Sequence, residues 1–277
     1  MPIHASRLIR KMRGGAQAHL LEADDGGFWV VKFLQNPQHR RILINEWISA
    51  VFLRFLQISQ PETAIIEVTE DFLRENPEVY IQLGSQRLPV EPGRHFASRF
   101  PGDPSVTAVY DFVPDALLRK VENLGHFLGV LVFDKWMGNA DARQSIFFRA
   151  RLREWSAGSA AGSHRAGFIA QMMDHGFVLN GPHWDFVDSP LQGLYFRPLV
   201  YESVTSLNDF QPWLDQIRHF PEEVMDMAYR QVPGQWVLGE EAEFEALFEK
   251  LMRRRKRVEH LLEDCRTARI SLFPNWQ

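Results

Sequence analysis

The fold is decided by Phe133-Asp134-Lys135-Trp136-Met137-Gly138-Asn139-Ala140-Asp141-Ala142-Arg143-Gln144, together with Met173-Asp174-His175-Gly176 further along the chain. A helix is predicted to end near Gly138, because apolar residues recur at helical spacing before it: Val121, Leu124, Leu128, Leu131, Val132 and Trp136. Asp141 then lies on the loop that follows this helix. An Asp in a loop is most often a turn residue that bonds its own backbone, so Asp141 alone does not indicate catalysis.

The second segment places another carboxylate in a turn. Residues 145–148 and 168–173 are each predicted to form a short strand, and the second strand delivers Asp174 to a turn that Gly176 holds open. A stretch rich in small residues, 155–167, is predicted to be the loop between these strands. Two acids in this layout are typical of a phosphoryl-transfer site, where one Asp orients or deprotonates the attacking hydroxyl and another holds Mg²⁺ against the phosphates.

The N-terminal region supplies further parts that such a site needs. Gly14-Gly15-Ala16-Gln17 forms a glycine-rich turn, and Asp25-Gly26 predicts a hairpin between strands at residues 19–23 and 28–34. Lys32 lies among apolar residues of the second strand, where a cation needs an anionic partner. In kinase-like folds, a glycine-rich turn and a Lys-bearing strand cover and clamp the phosphates of ATP. The alternative is an edge-strand Lys that prevents aggregation.

The predicted partner of Lys32 comes from the next element. A long helix is predicted for residues 38–57, because apolar residues recur there at helical intervals. Glu46 falls in the middle of these apolar positions, and an acid near the buried side of a helix needs a cation. A strand Lys paired with a helix Glu is the ion pair that aims the Lys at phosphate in kinases. By itself, a helix Glu is more commonly a solvated residue.

The middle of the chain gives the predicted domain boundary. Further strands, which with the first hairpin would make a mostly antiparallel sheet packed by one helix, are predicted at residues 64–69, 79–83 and 95–98. The strongest breaker, Pro101-Gly102-Asp103-Pro104, divides an N-terminal lobe, residues 1–101, from a larger, mostly helical C-terminal lobe, residues 102–277. The expected architecture is therefore α+β and bilobal. A nucleotide would lie in the crevice, with Phe96, Ala97 and Ser98 in the connecting segment beside the adenine.

Composition limits the class of protein. The chain has 277 residues, of which 45% are hydrophobic and 24% charged, enough for a sizeable core and two lobes. A formal net charge of -4 argues against general nucleic-acid binding. The single cysteine, Cys265, excludes an internal disulfide and a zinc cluster built from cysteines. No apolar run approaches the ~20 residues that span a bilayer, so a soluble, cytoplasmic protein is expected.

The C-terminal region is predicted to be helical, with helices at residues 207–219, 221–231 and 240–266. The last of these carries the basic run Arg253-Arg254-Arg255-Lys256-Arg257. A solvated helix face is the favoured interpretation of this run, and a patch that binds phosphate, nucleic acid or a partner is the alternative.

Taken in order, these motifs resemble the HipA-like kinase domain in its compact stand-alone bacterial form. The resemblance covers most of the chain and is carried by residues 14–21, residues 30–33, Asn45-Glu46, residues 133–141 and Met173-Asp174-His175-Gly176. The Asp-His-Gly turn is shared with phosphatidylinositol-kinase-like proteins. The resemblance implies a bilobal protein-kinase-like fold that binds ATP and Mg²⁺ between its lobes and transfers the γ-phosphoryl group to a hydroxyl.

The resemblance also implies the roles of individual residues. Gly14-Gly15-Ala16-Gln17 would cover the phosphates. Lys32, paired with Glu46, would contact the α and β phosphates. Asp141 would be the catalytic acid-base residue, and Asp174 would be the Mg²⁺ ligand.

One departure from the family pattern affects the second metal ligand. Kinases of this class carry an Asn five residues after the catalytic Asp, and Ile146 stands at that position here. Gln144 or Ser145 would take over this role only if the loop is shorter by one or two residues. Arg143 also replaces a common His. A nucleotide-binding pseudokinase that acts as a scaffold or regulator is therefore the alternative to an active kinase.

The acceptor is left open by the sequence. Ser or Thr of a protein follows by analogy with HipA, and a small molecule or a lipid head group is equally compatible. The chain is too short to carry the additional N-terminal subdomain of full-length HipA toxins, so partnership with a DNA-binding antitoxin is not implied.

Overall fold

The computed structural model describes residues 2–151 and 166–276. The predicted loop at residues 155–167 therefore lies mostly outside the described residues. Its last two residues, Ala166 and Gly167, begin a strand.

A closed five-stranded barrel forms most of the N-terminal region. The strands of this region are β1 (Ile3–Lys11), β2 (His19–Ala23), β3 (Phe28–Lys32), β4 (Thr63–Val68), β5 (Tyr80–Leu83), β6 (Gln86–Pro89) and β7 (Gly93–Arg99). The barrel order is β1-β2-β3-β7-β4, and the parallel pairing of β1 with β4 closes it while the other pairs are antiparallel. The Asp25-Gly26 hairpin is confirmed, since β2 pairs with β3 across that turn. Strand β1 was not predicted, because its polar residues interrupt the alternation that marks a strand.

Strand β5 lies outside the barrel, contrary to the prediction that it joins the main sheet. It pairs with β6 in a separate two-stranded hairpin. Gly84, at a φ of +57°, turns the chain back directly after β5, so that β6 lies beside it as its partner.

Two helices, and not one, accompany the barrel. Helix α1 (Arg41–Phe55) is slightly shorter than predicted, and Gln57 ends its run with a φ of +56°. Helix α2 (Glu70–Glu75) begins at Thr69, whose hydroxyl accepts a hydrogen bond from the backbone N–H of Phe72. The prediction placed Thr69 at the end of a strand and so missed this helix cap.

The predicted connecting segment is wrong in its position. Residues 95–98 lie inside β7 and pair with β3 on one side and with β4 on the other. His95, Phe96 and Ala97 are all buried, which suits a central strand of the barrel. The segment that leaves the barrel begins at Phe100 and leads to the short strand β8 (Val109–Tyr110).

The C-terminal region combines a three-stranded sheet, in the order β10-β9-β8, with helices. Its remaining elements are α3 (Asp115–Leu118), α4 (His126–Met137), β9 (Gln144–Arg151), β10 (Ala166–Met173), α5 (Trp213–Arg218), α6 (Glu222–Gln231), α7 (Gly234–Val237), α8 (Glu241–Arg254) and α9 (Val258–Ala268), with 3-10 turns at Val178–Asn180, Pro198–Tyr201, Leu207–Phe210, Arg255–Arg257 and Ile270–Leu272. No helix among the described residues has the length and apolar character needed to cross a bilayer.

Helix α4 ends as predicted and starts later than predicted. Gly138 adopts the left-handed conformation at φ +62° directly after its last residue. Val121 and Leu124 do not belong to it, because residues 121–123 instead bind the edge of β10. The Asn123 side chain both donates to the carbonyl of Ala170 (2.7 Å) and accepts from its N–H (2.9 Å).

Two of the predicted C-terminal helices are interrupted. The helix at residues 207–219 is a 3-10 turn and then α5, separated by Pro212, whose ring cannot donate a helical hydrogen bond. The terminal helix is divided into α8 and α9 by the 3-10 turn Arg255–Arg257, at the basic run.

Two hydrophobic cores organise the molecule. One fills the barrel around Trp29, Val31 and Phe33. The other runs from α1 through α4 to the C-terminal helices, and six of the eleven buried residues of α1 belong to it. Helix α1 therefore shares its core with the C-terminal region, although the sequence assigned it to the N-terminal lobe.

The barrel core contains two neutral histidines. His19 and His95 lie on either side of Phe33, with ring centroids 5.0 and 5.3 Å from it. Both residues are almost fully buried, and burial lowers the pKa of each to about 4. Each ring is therefore neutral in the folded protein at pH 5, where the unfolded chain would protonate it.

This pair predicts a loss of stability in mild acid. Because the unfolded chain binds protons below about pH 6.5 and the folded barrel does not until about pH 4, stability falls across that window. We expect the free energy of unfolding to fall by about 3–4 kcal/mol between pH 7 and pH 5 for the pair. Urea unfolding at the two pH values measures this, and His19→Gln should weaken the pH dependence. The exposed-residue control His260→Gln should not, and equal stability at both pH values would contradict the account.

Candidate active site

A buried cation with two carboxylates lies where the barrel meets α1 and β10. Lys32, the last residue of β3, contacts Oε1 of Glu46 in the middle of α1. Its Nζ also lies 2.8 Å from Oδ1 of Asp174, which follows β10. The predicted Lys32–Glu46 pair is thus present. The direct contact of Lys32 with Asp174 was not predicted, because the two residues are far apart in the chain.

The charges in this cluster depend on one another. Burial alone would lower the pKa of Lys32, but the carboxylates of Glu46 and Asp174 outweigh it and raise this pKa. Lys32 in turn lowers the pKa of Asp174, whereas burial raises the pKa of Glu46. Lys32 is therefore charged at neutral pH, and Asp174 is an ionised carboxylate.

The backbone at Asp174 is held in an uncommon conformation. Its φ is +58°, in the left-handed region that few residues other than Gly, Asn and Asp adopt. Gly176 was predicted to hold the turn open, but its role is close packing. A Cβ at Gly176 would lie 2.5 Å from Cγ2 of Ile42 on α1. The turn can therefore press against α1 only with glycine at this position.

Asn45 fixes the same turn to α1. The two N–H groups of its buried side-chain amide are shared among three carbonyls, those of Gly176 (2.7 Å), Val178 (3.0 Å) and Gly181 (3.0 Å). Its oxygen accepts from Nε1 of Trp184 at 2.9 Å. Since Asn45 directly precedes Glu46, the residues that bind Lys32 and those that position Asp174 share one helix turn.

Arg143 connects the loop of Asp141 to the turn of Asp174. Its fully buried guanidinium donates to both carboxylate oxygens of Asp134, with Nε 2.8 Å from Oδ2. Nη1 donates to the carbonyl of Met173 (2.9 Å) and to Nδ1 of His175 (3.1 Å). Burial, and then the charge of Arg143, lower the pKa of His175 well below its usual value, so His175 is neutral and its Nδ1 accepts.

Sequence reasoning missed this network. Arg143 was noted only as a replacement for a His, and Asp134 was not singled out. An acid within the otherwise apolar helix α4 was the available signal, because a buried carboxylate requires a cation.

Asp141 lies on a very short loop. Its backbone N–H donates to Oδ1 of Asn139 (3.1 Å), and its carbonyl accepts from the N–H of Gly193 (2.9 Å). Only Ala142 and Arg143 separate it from β9, which begins at Gln144. The Gln144 amide donates to Oδ2 of Asp141 at 3.3 Å.

Asp141, Asp174 and Lys32 line one cavity of about 870 Å³, beneath the glycine-rich turn. Its other lining residues include Gly14, Gly15, Ala16, Ala18, Val30, Gln144, Ser145 and Met173. This volume falls within the range of ligand pockets. The structure therefore brings together most of the residues that the sequence singled out.

Four residues that were predicted to contact the nucleotide lie outside the lining of this cavity. The side chain of Gln17 is turned to β5, where it donates to the carbonyl of Gln82 (2.7 Å) and accepts from its N–H (2.8 Å). Ala97 is fully buried in the barrel core. Phe96 and Ser98 line an adjoining cavity of about 40 Å³, which shares Val30, Lys32, Met173 and Asp174 with the larger one. None of these four lines the larger cavity.

Apolar residues of the larger cavity were not predicted as contacts. Ala18, Val30 and Met173 give it apolar wall next to the charged cluster. Val30 lies two positions before Lys32 in β3, so strand alternation puts both side chains on the same face. That spacing was the signal that could have found it.

Oxygen donors gather at one end of the β9–β10 hairpin. Gln144 pairs in register with Met173, the residue before Asp174. Ile146 pairs with Gln171 and is buried, so it provides no ligand. Among residues 2–151 and 166–276, no cluster of three or more His, Cys, Asp or Glu side chains could hold a metal. A cation here would thus take few protein ligands.

The basic run is not the uniformly solvated face that the sequence favoured. Arg254 is buried and donates to the last carbonyls of α4, those of Lys135 (3.0 Å) and Trp136 (2.9 Å). It also contacts Asp188 at 2.6 Å. Arg253, by contrast, is exposed and pairs with Glu249. The run therefore includes a structural cation that holds the helix leading to Asp141.

We expect Arg254→Ala to destabilise the protein by about 2 kcal/mol or more, because it leaves two carbonyls at the end of α4 without their buried donor, while Asp188 keeps its pair with Arg257. Arg253→Ala removes an exposed pair and should change stability by less than about 0.5 kcal/mol. Chemical denaturation of both variants measures this difference. Equal effects would show that the burial of Arg254 has no energetic consequence.

Comparison with known proteins gives the family and the fold. A family model described as HipA-like kinase matches residues 5–147. No curated protein sequence matches the chain. The chain is similar to the crystal structure of the Golgi casein kinase with Mn/ADP bound, with a TM-score of 0.52 and 11% identity over 97% of this chain and 73% of that chain. A second crystal structure of the Golgi casein kinase gives a TM-score of 0.52 and 11% identity over 96% and 72%.

At this identity the likeness shows a protein-kinase-like fold alone, which agrees with the mixed α and β content. The family model spans more than half of the chain, from Ala5 in β1 to Phe147 in β9. The chain belongs to the HipA-like kinase family.

Proposed function

We propose that this protein is an ATP-dependent kinase that transfers the γ-phosphoryl group to a hydroxyl, with Ser or Thr of a protein as acceptor. The observation that carries the proposal is the single cavity lined by Lys32, Asp141, Asp174 and the glycine-rich turn. We further propose that residues 1–101 and 102–277 act as two lobes that bind ATP and Mg²⁺ between them.

The cavity has the chemistry that a nucleotide and Mg²⁺ require. Gly14, at a φ of +113°, has nothing within 4 Å of where a Cβ would lie, so the backbone of its turn is open to phosphate oxygens. Lys32 supplies a charged ammonium, and Val30 an apolar wall for the base. Asp174 and Gln144 offer carboxylate and amide oxygens, the hard ligands that suit Mg²⁺. When bound, Mg²⁺ would neutralise charge on the phosphates.

The protein residues contribute mainly positioning and charge. Lys32, held by Glu46, would bind the α and β phosphates and keep them in register with the acceptor. Asp141 would accept the proton of the acceptor hydroxyl while the hydroxyl oxygen bonds to the γ-phosphorus. At the same time, the bond between the γ-phosphorus and the oxygen that bridges it to the β-phosphate breaks. ADP leaves with that bond's electron pair, and the phosphate ester is the product.

Two alternatives are separated by one experiment. The first is a nucleotide-binding pseudokinase, favoured by Ile146 at the usual Asn position, and the second is a kinase for lipids or small molecules. Transfer of labelled γ-phosphate should be measured with Mg²⁺ on the protein itself and on panels of protein, lipid and small-molecule acceptors. We expect slow but measurable transfer to protein. Nucleotide binding without any turnover would favour the pseudokinase, and transfer confined to the other panels would reassign the acceptor.

Gln144 gives a prediction of its own. Because the loop after Asp141 is short and Gln144 lies at the same hairpin end as Asp174, its amide oxygen would replace the missing Asn. We expect Gln144→Ala to lower turnover by about tenfold or more, while nucleotide affinity changes less, since charge on the moving phosphoryl group matters most in transfer. Titration calorimetry and turnover assays give the two values. Gln82→Ala is a control outside the cavity lining, and a Gln144→Ala enzyme with full turnover would remove this residue from the site.

A further inference from the structure

Three exposed aromatic side chains lie on two segments whose neighbouring residues, Asp111 and Tyr195, line the cavity. Tyr110, Phe112 and Phe196 are 47%, 64% and 52% exposed, and we call them the aromatic rim. The guanidinium of Arg197 lies 4.6 Å from the centre of the Phe112 ring, which joins the two segments that carry the rim. Exposed aromatic residues that cluster next to a cleft are typical of binding surfaces.

The rim is continuous with the catalytic turn. Asp111, between Tyr110 and Phe112, lines the cavity, as does Tyr195, the neighbour of Phe196. The segment before Phe196 is bonded to the loop of Asp141 at both ends: the N–H of Gly193 donates to the Asp141 carbonyl, and the N–H of Arg143 donates to the Leu194 carbonyl, each at 2.9 Å. An acceptor hydroxyl that reaches Asp141 would therefore bring its neighbouring groups onto the rim.

The charge of the rim selects between occupants. Asp111 is exposed and forms no ion pair among the described residues, whereas Arg197 is already bound to Asp115. Arg10, Lys11 and Arg13 also line the cavity, but these cations come from the end of β1 and the residues before the glycine-rich turn, and not from the two segments of the rim. An anionic membrane surface requires unpaired Lys or Arg beside the aromatic residues, and an unpaired carboxylate opposes it. A protein segment with a basic residue next to apolar ones is complementary to this surface. Strand β8 is also the edge of its sheet, where an extended segment could align.

We propose that the aromatic rim binds the acceptor as an extended protein segment, with an apolar side chain of the segment against Phe112 and Phe196 and a Lys or Arg opposite Asp111. This inference rests on the proposed kinase function, because it names the acceptor class of the same site. The inference adds that the acceptor segment carries a basic and an apolar residue near its hydroxyl. It also names the residues of the rim that recognise this sequence.

The test uses direct binding, so that it does not depend on turnover. The probes are fluorescent twelve-residue peptides with a central Ser, in which the flanks carry Phe and Arg, Phe and Glu, or Ala alone. Anisotropy titration of the full chain with ADP and Mg²⁺ should show roughly tenfold tighter binding of the Phe-Arg peptide. Phe112→Ser should remove this preference, and Asp111→Lys should turn it toward the Phe-Glu peptide. Leu238→Ser, an equally exposed apolar position outside the rim and the cavity, is the matched control.

Each possible outcome either supports or contradicts the assignment of the aromatic rim. Equal binding of the three peptides, or binding unaffected by Phe112→Ser and Asp111→Lys, would overturn the proposal. Binding to vesicles of phosphatidylcholine and phosphatidylserine that Phe112→Ser abolishes would replace the peptide by a membrane surface and so would also overturn it. Selective peptide binding without phosphoryl transfer would leave the rim assignment standing and contradict the kinase function instead.

Discussion

Asp141→Ala is expected to lower ATP turnover by roughly 10²–10⁴-fold, the usual contribution of a positioned general base. Nucleotide affinity should stay nearly unchanged, because Asp141 makes no contact with Lys32 or with the glycine-rich turn. Its side chain binds only the N–H of Ala142 and the amide of Gln144 among the described residues. The fold should also tolerate the change, since the backbone of residue 141 makes the bonds that hold the loop.

The measurement compares turnover and nucleotide affinity in the same preparations. Asp226→Ala removes an exposed carboxylate on α6 and should retain full turnover. Turnover in Asp141→Ala that equals the wild-type rate, in protein with wild-type stability, would show that another group takes the proton or that the hydroxyl needs no base.

Asp174→Asn is expected to weaken ATP binding in the presence of Mg²⁺ by about tenfold or more, because it removes the charged oxygen ligand of the cation. Turnover should fall further, since the metal neutralises charge that develops during transfer. The amide keeps the size of the side chain, and its oxygen can still accept from Lys32. ATP affinity without Mg²⁺ should therefore change little.

Titration calorimetry of an ATP analogue, with and without Mg²⁺, resolves the two contributions. Glu46→Gln is the matched control, because it also removes one carboxylate that contacts Lys32 but lies in α1 and does not line the larger cavity. We expect it to weaken binding equally with and without Mg²⁺. A metal-independent loss in Asp174→Asn would instead assign Asp174 to the orientation of Lys32.

The sequence predicted local features well where neighbouring residues determine them. Turn chemistry and periodicity predict the end of α4 at Gly138, the Asp25-Gly26 hairpin, the strand that carries Lys32 and the strand that precedes Asp174. The Lys32–Glu46 pair could be predicted because each charge lies in an apolar pattern that demands a partner. Local rules also explain one error, since Thr69 fits the end of a strand as well as the cap of a helix.

Features that depend on distant contacts could not be predicted. The bond between Lys32 and Asp174 joins the end of β3 to the turn after β10, and the Arg143 network joins that turn to α4. The proximity of these elements follows only from the tertiary fold. Gln17 illustrates the same limit. The sequence put its side chain on the phosphates, whereas the hairpin of β5 and β6 folds back to bind it. Whether each residue of the basic run is buried or exposed likewise depends on where α8 packs against α4.

A crystal structure with a non-hydrolysable ATP analogue and Mg²⁺ tests the central claim most directly. We expect the phosphates to lie beneath Gly14-Gly15-Ala16 and Lys32 to contact the α and β phosphates. Asp174 should bind Mg²⁺, and the γ-phosphate should face Asp141. The amide of Gln144 should lie beside the cation. A nucleotide bound elsewhere, or one whose phosphates point away from Lys32 and Asp174, would contradict the assignment of this cavity as the active site of the kinase.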